Sequence, residues 1–168
     1  MINHNRYHRQ IILDGFGEIS QVQLGEAKVL VIGAGGLGCP ALMYLAGAGV
    51  GTIGIIDSDK VSLDNLHRQP LFTTEDIGYP KALRAAEQLN KLNPDIQYDV
   101  YEEKLTTENC LELVTAYDII LDCTDNFATR YMINDACVLK GKPLVYGAVS
   151  RYEGQVAVFN VQTADEDA

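Results

Sequence analysis

The sequence predicts an α/β fold, a mostly parallel sheet covered by helices on both faces. Three observations carry that expectation. Short apolar runs alternate with stretches whose apolar residues recur at helical spacing. The first run opens directly into a glycine-rich turn, and the second ends at an aspartate. A parallel sheet must bury both faces, so repeated strand and helix signals imply helices above and below it.

The elements follow in order. After a polar, turn-rich start, residues 29–32 read as a strand, GAGGLG as a tight turn and PALMYLAGAG as a helix. Residues 52–56 supply a second strand ending at Asp57, and residues 81–90 a helix. A strand at 96–101, a helix at 108–115, a strand at 117–121 and a helix at 128–139 continue the alternation. Two last strands, 144–149 and 156–159, flank a polar turn that permits a local antiparallel extension. Residues 1–161 are expected to form one unit, and 162–168 a polar tail or truncation point.

Composition sets the outer bounds. The chain has 168 residues, 47% of them hydrophobic, enough for one core without a second domain. With 23 acidic against 13 basic side chains the formal charge is -10, which repels nucleic acid and anionic membrane, so neither is an expected partner. No basic region precedes an apolar segment at the amino terminus, and a cytoplasmic protein is expected. Cys39, Cys110, Cys123 and Cys137 form no CxxC pair, and His4, His8 and His67 form no ligand pair. The cysteines read as buried free thiols, and no zinc site is expected within this chain.

The chemistry concentrates after the strands. Gly33 can make the tight turn, Gly35 can clear space near a phosphate, and Gly38 can let the next helix approach the sheet. With Gly36 they form a loop whose backbone N–H groups, at a helix start, can hydrogen-bond phosphate oxygens. Asp57, at the end of the next strand, is placed to accept ribose hydroxyl hydrogen bonds, and together these features describe a Rossmann-like nucleotide site. The loop is not of the GxxxxGK[ST] form. Asp59, two residues on, shares a strand face with Asp57 if the extension continues, where it could approach phosphate or metal or simply be solvated. Arg68 and Lys81 could neutralise phosphate at the open sheet edge, a use that phosphoryl or nucleotidyl transfer has for them. In DCTDN, Asp122 closes a strand while Asp125 lies in the connection and is the better metal candidate; Asn126 either faces the ligand or caps the next helix.

RYHRQIILDGFG, VLVIGAGGLGCP, IIDSDKVSLDNLHRQPLF, GYPKA and LDCTDN, in this order over residues 6–159, together resemble the ThiF/MoeB/HesA family, relatives of ubiquitin-activating enzymes. The resemblance implies an ATP-binding adenylation domain over residues 1–161. Such a domain activates the Gly-Gly carboxyl terminus of a ubiquitin-like sulfur carrier, in thiamine or molybdopterin biosynthesis, with release of pyrophosphate. It further implies that Gly35 belongs to the nucleotide loop, Asp57 binds ribose, and Asn65, Arg68 and Lys81 surround phosphate. By the same resemblance Asp125 works with Mg²⁺, and Arg9 is supplied to the opposite subunit of a homodimer. Many full-length members carry two CxxC pairs beyond this span, so adenylation by this chain alone is expected to be weak or absent. An NAD-dependent oxidoreductase would share the glycine loop and Asp57 but does not account for Arg9, Arg68, Lys81 and Asp125 together. A nucleotide-binding interaction domain is the remaining alternative.

Overall fold

The computed structural model describes residues 3–161; the tail expected at 162–168 lies outside them. The chain runs α1 (His4–Ile11), α2 (Gly17–Glu26), β1 (Lys28–Ile32), α3 (Gly38–Ala48), β2 (Thr52–Ile56), α4 (Lys81–Leu92) and β3 (Gln97–Tyr101). It continues α5 (Cys110–Ala116), β4 (Ile119–Asp122), α6 (Phe127–Lys140), β5 (Leu144–Ser150) and β6 (Glu153–Phe159). The strands form one six-stranded sheet in the order β3-β2-β1-β4-β5-β6. All pairings are parallel except β5 with β6, the expected antiparallel extension.

Alternation along β1 explains the two layers. Val29 and Val31 face one core with Leu42 of α3 and Leu89 of α4. Leu30 and Ile32 face another with Val114 of α5 and Ile133 of α6. Successive strand side chains point to opposite faces, so an unbroken apolar run is what a strand buried on both sides requires.

The polar start is helical, unlike the sequence expectation. Apolar periodicity could not show it, because polar side chains hold α1 and α2. Gln21, the buried residue of α2, donates to the Ala48 carbonyl at 3.2 Å and is also bonded by Gln10. Tyr7, the buried residue of α1, packs on Gly49, and its hydroxyl accepts from Asn93 Nδ2 at 2.7 Å. Boundaries shift elsewhere. β4 starts at Ile119 rather than 117, because Tyr117 closes α5 and buries its ring against Gly54. β6 begins at Glu153 rather than 156, since the polar residues after Arg151 already pair with β5.

The chain builds outward from β1 in one direction through β2 and β3, and from β4 in the other through β5 and β6. Loops leaving the carboxyl ends of β1 and β4 therefore diverge, and the crevice between them is where open α/β sheets take ligands. Among the described residues no helix is long and apolar enough to cross a membrane.

Candidate functional site

The crevice exists as a cleft of about 990 Å³, lined among others by Gly33, Gly35, Asp57, Arg68, Lys81 and Asp125. The glycines divide into two kinds. Gly33 has φ +97°, and a Cβ there would stand 3.0 Å from the Cys123 carbonyl oxygen. A Cβ on Gly38 would overlap the Gly33 carbonyl, so α3 can approach the turn only without one. The fold itself demands those two. At Gly35 a Cβ would meet only Gln69 Nε2, at 3.8 Å, and at Gly36 only the Arg68 side chain, at 3.5 Å and beyond. Neither is dictated by protein contacts, and the space left open is cleft. At the start of α3 the Gly38 N–H has no backbone acceptor, whereas the Cys39 N–H already donates to the Gly35 carbonyl at 2.9 Å and Pro40 has no N–H to offer; this end of the helix carries the positive end of its dipole.

Asp57 continues directly from β2 and ties the loop to the opposite wall. Its Oδ2 accepts the Ala34 N–H at 2.7 Å, and its Oδ1 accepts the Asp59 N–H at 2.8 Å. Burial pushes its carboxyl above the ordinary 3.8, although the Asp59 and Ala34 amides and the Lys81 charge oppose the rise. Each oxygen keeps a lone pair, so the group can still accept from a ligand hydroxyl.

The cations sit on the same side. Lys81 opens α4, is 6% exposed, and its Nζ lies 3.0 Å from Oδ2 of Asp59. The Lys81 N–H also donates to the Asp59 carbonyl at 2.9 Å, so Asp59 grips this lysine twice. Asp59 is thus a partner of Lys81 at the cleft edge, which the sequence did not foresee. Arg68 is exposed, and its Nη1 donates to the Asp64 carbonyl at 3.0 Å. Asn65, buried in a one-turn 3-10 helix, accepts at its carbonyl from the Arg68 and Gln69 amides, both at 3.1 Å, and so sets the turn that presents Arg68.

The DCTDN segment resolves into distinct roles. Asp122 is buried, and its Oδ1 accepts from the Thr124 N–H and hydroxyl at 2.9 and 2.7 Å. Asn126 is the N-cap of α6, accepting from the Thr129 N–H at 2.9 Å, while still lining the cleft. Asp125 between them is exposed on the cleft wall. Arg130, which sequence reasoning missed, lines the cleft as well. It donates to the Thr124 carbonyl from Nη2 at 2.5 Å and to the Tyr146 hydroxyl from Nη1 at 3.1 Å. Its position one helical turn after Asn126 puts it on the same face of α6, a signal that helix spacing could have given.

Arg9 is not among the residues lining this cleft. Its helix is pinned by Tyr7 to Gly49 and Asn93, which close α3 and α4 just before strands begin. That is the amino end of the parallel sheet, opposite the cleft, and Arg9 itself is exposed there. Among the described residues no group of three or more His, Cys, Asp or Glu could hold a metal ion alone. Cys39, Cys110 and Cys137 are buried free thiols, as expected. Cys123, also expected to be buried, is instead half-buried because it borders the cleft; desolvation, reinforced by Asp122, still pushes its thiol up to about 12, so it stays protonated at neutral pH.

Comparison with known proteins identifies relatives in sequence and in fold. A family model described as the ThiF family matches residues 7–167. The sulfur carrier protein adenylyltransferase of Thermus thermophilus is 54% identical over 159 residues, which are 95% of this chain and 59% of that protein. The adenylyltransferase and sulfurtransferase MOCS3 of Anopheles gambiae is 52% identical over 155 residues, 92% of this chain and 35% of that one. The chain therefore spans three fifths or less of the length of these two relatives. Among solved structures, the E. coli tRNA N6-threonylcarbamoyladenosine dehydratase TcdA in complex with ATP matches with a TM-score of 0.82 and 28% identity, over 86% of this chain and 60% of that one. PaaA matches with a TM-score of 0.83 and 25% identity, over 98% of this chain and 57% of that one.

Proposed function

This chain belongs to the ThiF family, and from that premise we propose that it is an ATP-dependent adenylyltransferase acting on the Gly-Gly carboxyl terminus of a ubiquitin-like sulfur carrier. Residues 1–161 are its ATP-binding unit, and its setting is cytoplasmic thiamine or molybdopterin biosynthesis. The names of the relatives support the reaction class. The observation that carries it is the single cleft in which the open Gly35 position, Asp57, Lys81, Arg68 and Asp125 converge.

A carrier carboxylate oxygen attacks the α-phosphorus of ATP. The new O–P bond forms as the bond to the bridging oxygen breaks, and pyrophosphate leaves with that electron pair. The attacking carboxylate is already ionised near neutral pH, so no protein base is needed. The chain contributes placement and charge. Asp57 accepts from the ribose hydroxyls, the loop amides leading into α3 donate to phosphate oxygens, and Lys81 and Arg68 stabilise charge on the transferring and leaving phosphates. Asn65 and Asn126 hold the walls in place, and Asp59 orients Lys81. Mg²⁺ keeps several waters and binds through one or two carboxylates plus substrate phosphates, so a lone exposed carboxylate such as Asp125 suits it. When bound, the ion neutralises phosphate charge. Arg9 serves the neighbouring subunit of a homodimer, a reading supported by its position at the far end of its own sheet.

The test is to incubate the chain with ATP, Mg²⁺ and carriers ending in Gly-Gly, following carrier–AMP by mass spectrometry and pyrophosphate release. Carrier–AMP formed with pyrophosphate, by this chain or by a longer version of it, is the expected result. Binding of NAD in place of ATP would make the protein an oxidoreductase instead. ATP binding without carrier–AMP in either version would leave a nucleotide-binding interaction domain.

A further inference from the structure

Gln69 follows Arg68 directly, and its environment is unusual. It is 3% exposed, it lines the nucleotide cleft, and its Oε1 has no hydrogen-bond partner. Among the described residues only Oδ2 of Asp122 shares that condition. A buried acceptor without a partner carries a desolvation penalty that a leucine of similar size would avoid. Exchanging the two ends of the carboxamide would orphan a donor instead, so the deficit does not depend on which end is oxygen. If this position served packing alone, an apolar side chain would be the more stable choice.

The other end of the amide shows what the deficit secures. Gln69 Nε2 is the nearest atom to the place where a Gly35 Cβ would stand, so the donor reaches over the open floor of the glycine loop. The backbone is fixed on both sides. The Gln69 N–H donates to the Asn65 carbonyl, and the Phe72 N–H donates to the Gln69 carbonyl, each at 3.1 Å. The preceding residue, Arg68, covers Gly36 with its methylene groups. A cation and a neutral donor from one turn thus roof the two glycines that the fold leaves open.

We propose that the Gln69 carboxamide is a phosphate-contacting group of this site, donating from Nε2 to a phosphate oxygen held over Gly35. It supplies direction where Arg68 supplies charge, because a neutral amide rewards only an oxygen placed along its N–H bond. The proposal rests on the nucleotide reading above, and the side chain keeps its donor in place at the expense of its own acceptor.

Calorimetric titration of the full chain with ATP and with adenosine, beside thermal melting, tests this on Gln69→Leu and Gln69→Glu. The first keeps the volume and removes the donor; the second keeps the shape and puts an anion against the phosphates. Both are expected to weaken ATP binding by roughly tenfold or more, with Gln69→Glu the worse, while adenosine binding is unchanged. Gln69→Leu should melt no lower than the wild type. ATP binding within about twofold of wild type in either variant overturns the proposal, as does an equal loss for adenosine. Unfolding of both variants would make Gln69 structural and also overturn it. A wild-type chain that binds no ATP would sink the nucleotide reading and this proposal together, and that result needs no variant.

Discussion

Asp57 joins the two walls of the cleft through one carboxylate, accepting from the Ala34 and Asp59 amides. Burial raises its carboxyl above 3.8, so on acidification it protonates earlier than an ordinary aspartate. A protonated oxygen can no longer accept from both an amide and a ribose hydroxyl. For a carboxyl with a raised folded value, the charged form is the disfavoured one: the fold gains by protonation while the ligand loses. ATP affinity should therefore begin to fall at a pH above 3.8, and Asp57→Asn should bind weakly with that part of the dependence missing. Comparing the two proteins by titration calorimetry removes the protonation of ATP itself. A wild-type curve that parallels Asp57→Asn would remove Asp57 from the ribose role. At this scale the sequence was legible wherever a residue follows a strand directly, as Asp57 and Gly33 do. Arg130 and Gln69 escaped because one lies a helical turn beyond its motif and the other was eclipsed by the charge beside it.

The long connection between β2 and α4 brings Asn65, Arg68 and Gln69 to the cleft, and its rigidity depends on one buried acid. Asp76 is fully buried, accepts from the Thr73 N–H at 2.7 Å and the Thr73 hydroxyl at 3.0 Å, and is paired with Arg84 of α4. Burial alone would raise its carboxyl, but the Thr73 amide, the Arg84 guanidinium and the Thr73 hydroxyl outweigh it and hold the group below 3.8. A lowered carboxyl stabilises the fold above its unfolded value, and that stability is lost as pH falls through the folded one. Asp76→Ala should cost about 3 kcal/mol in urea unfolding near neutral pH, because it leaves Arg84 without its buried partner. The variant should also show a flatter loss of stability below pH 3.8 than the wild type. A cost near zero would show that the connection is held by its apolar anchors Leu71 and Phe72 instead. Strands β1, β2 and β5 were readable from apolar runs alone, and all begin or end within a residue of expectation. Helices α1 and α2 were not, since Gln21 and Tyr7 fasten them through hydrogen bonds that a hydropathy pattern does not record.

The whole molecule keeps its cleft at the carboxyl end of the sheet and its amino-terminal helix at the other end. On the adenylation reading, one protomer of a mixed dimer carrying Arg9→Ala and its partner carrying Lys81→Ala would between them retain one complete site. Mixing the two inactive variants should restore a measurable fraction of ATP–pyrophosphate exchange, and no recovery in a proven mixed dimer would remove Arg9 from the neighbouring site. On the same reading, the anchoring of α1 by Tyr7 holds Arg9 away from its own cleft and makes activity a matter of mass action. A catalyst that borrows an arginine from a second chain has a specific activity set by its own concentration. On dilution below the dimer dissociation constant, turnover per chain should decline in proportion to concentration, so that total rate follows its square. Saturating ATP would not restore it, whereas added Lys81→Ala protein, inert by itself, would lend its arginine and bring the rate back.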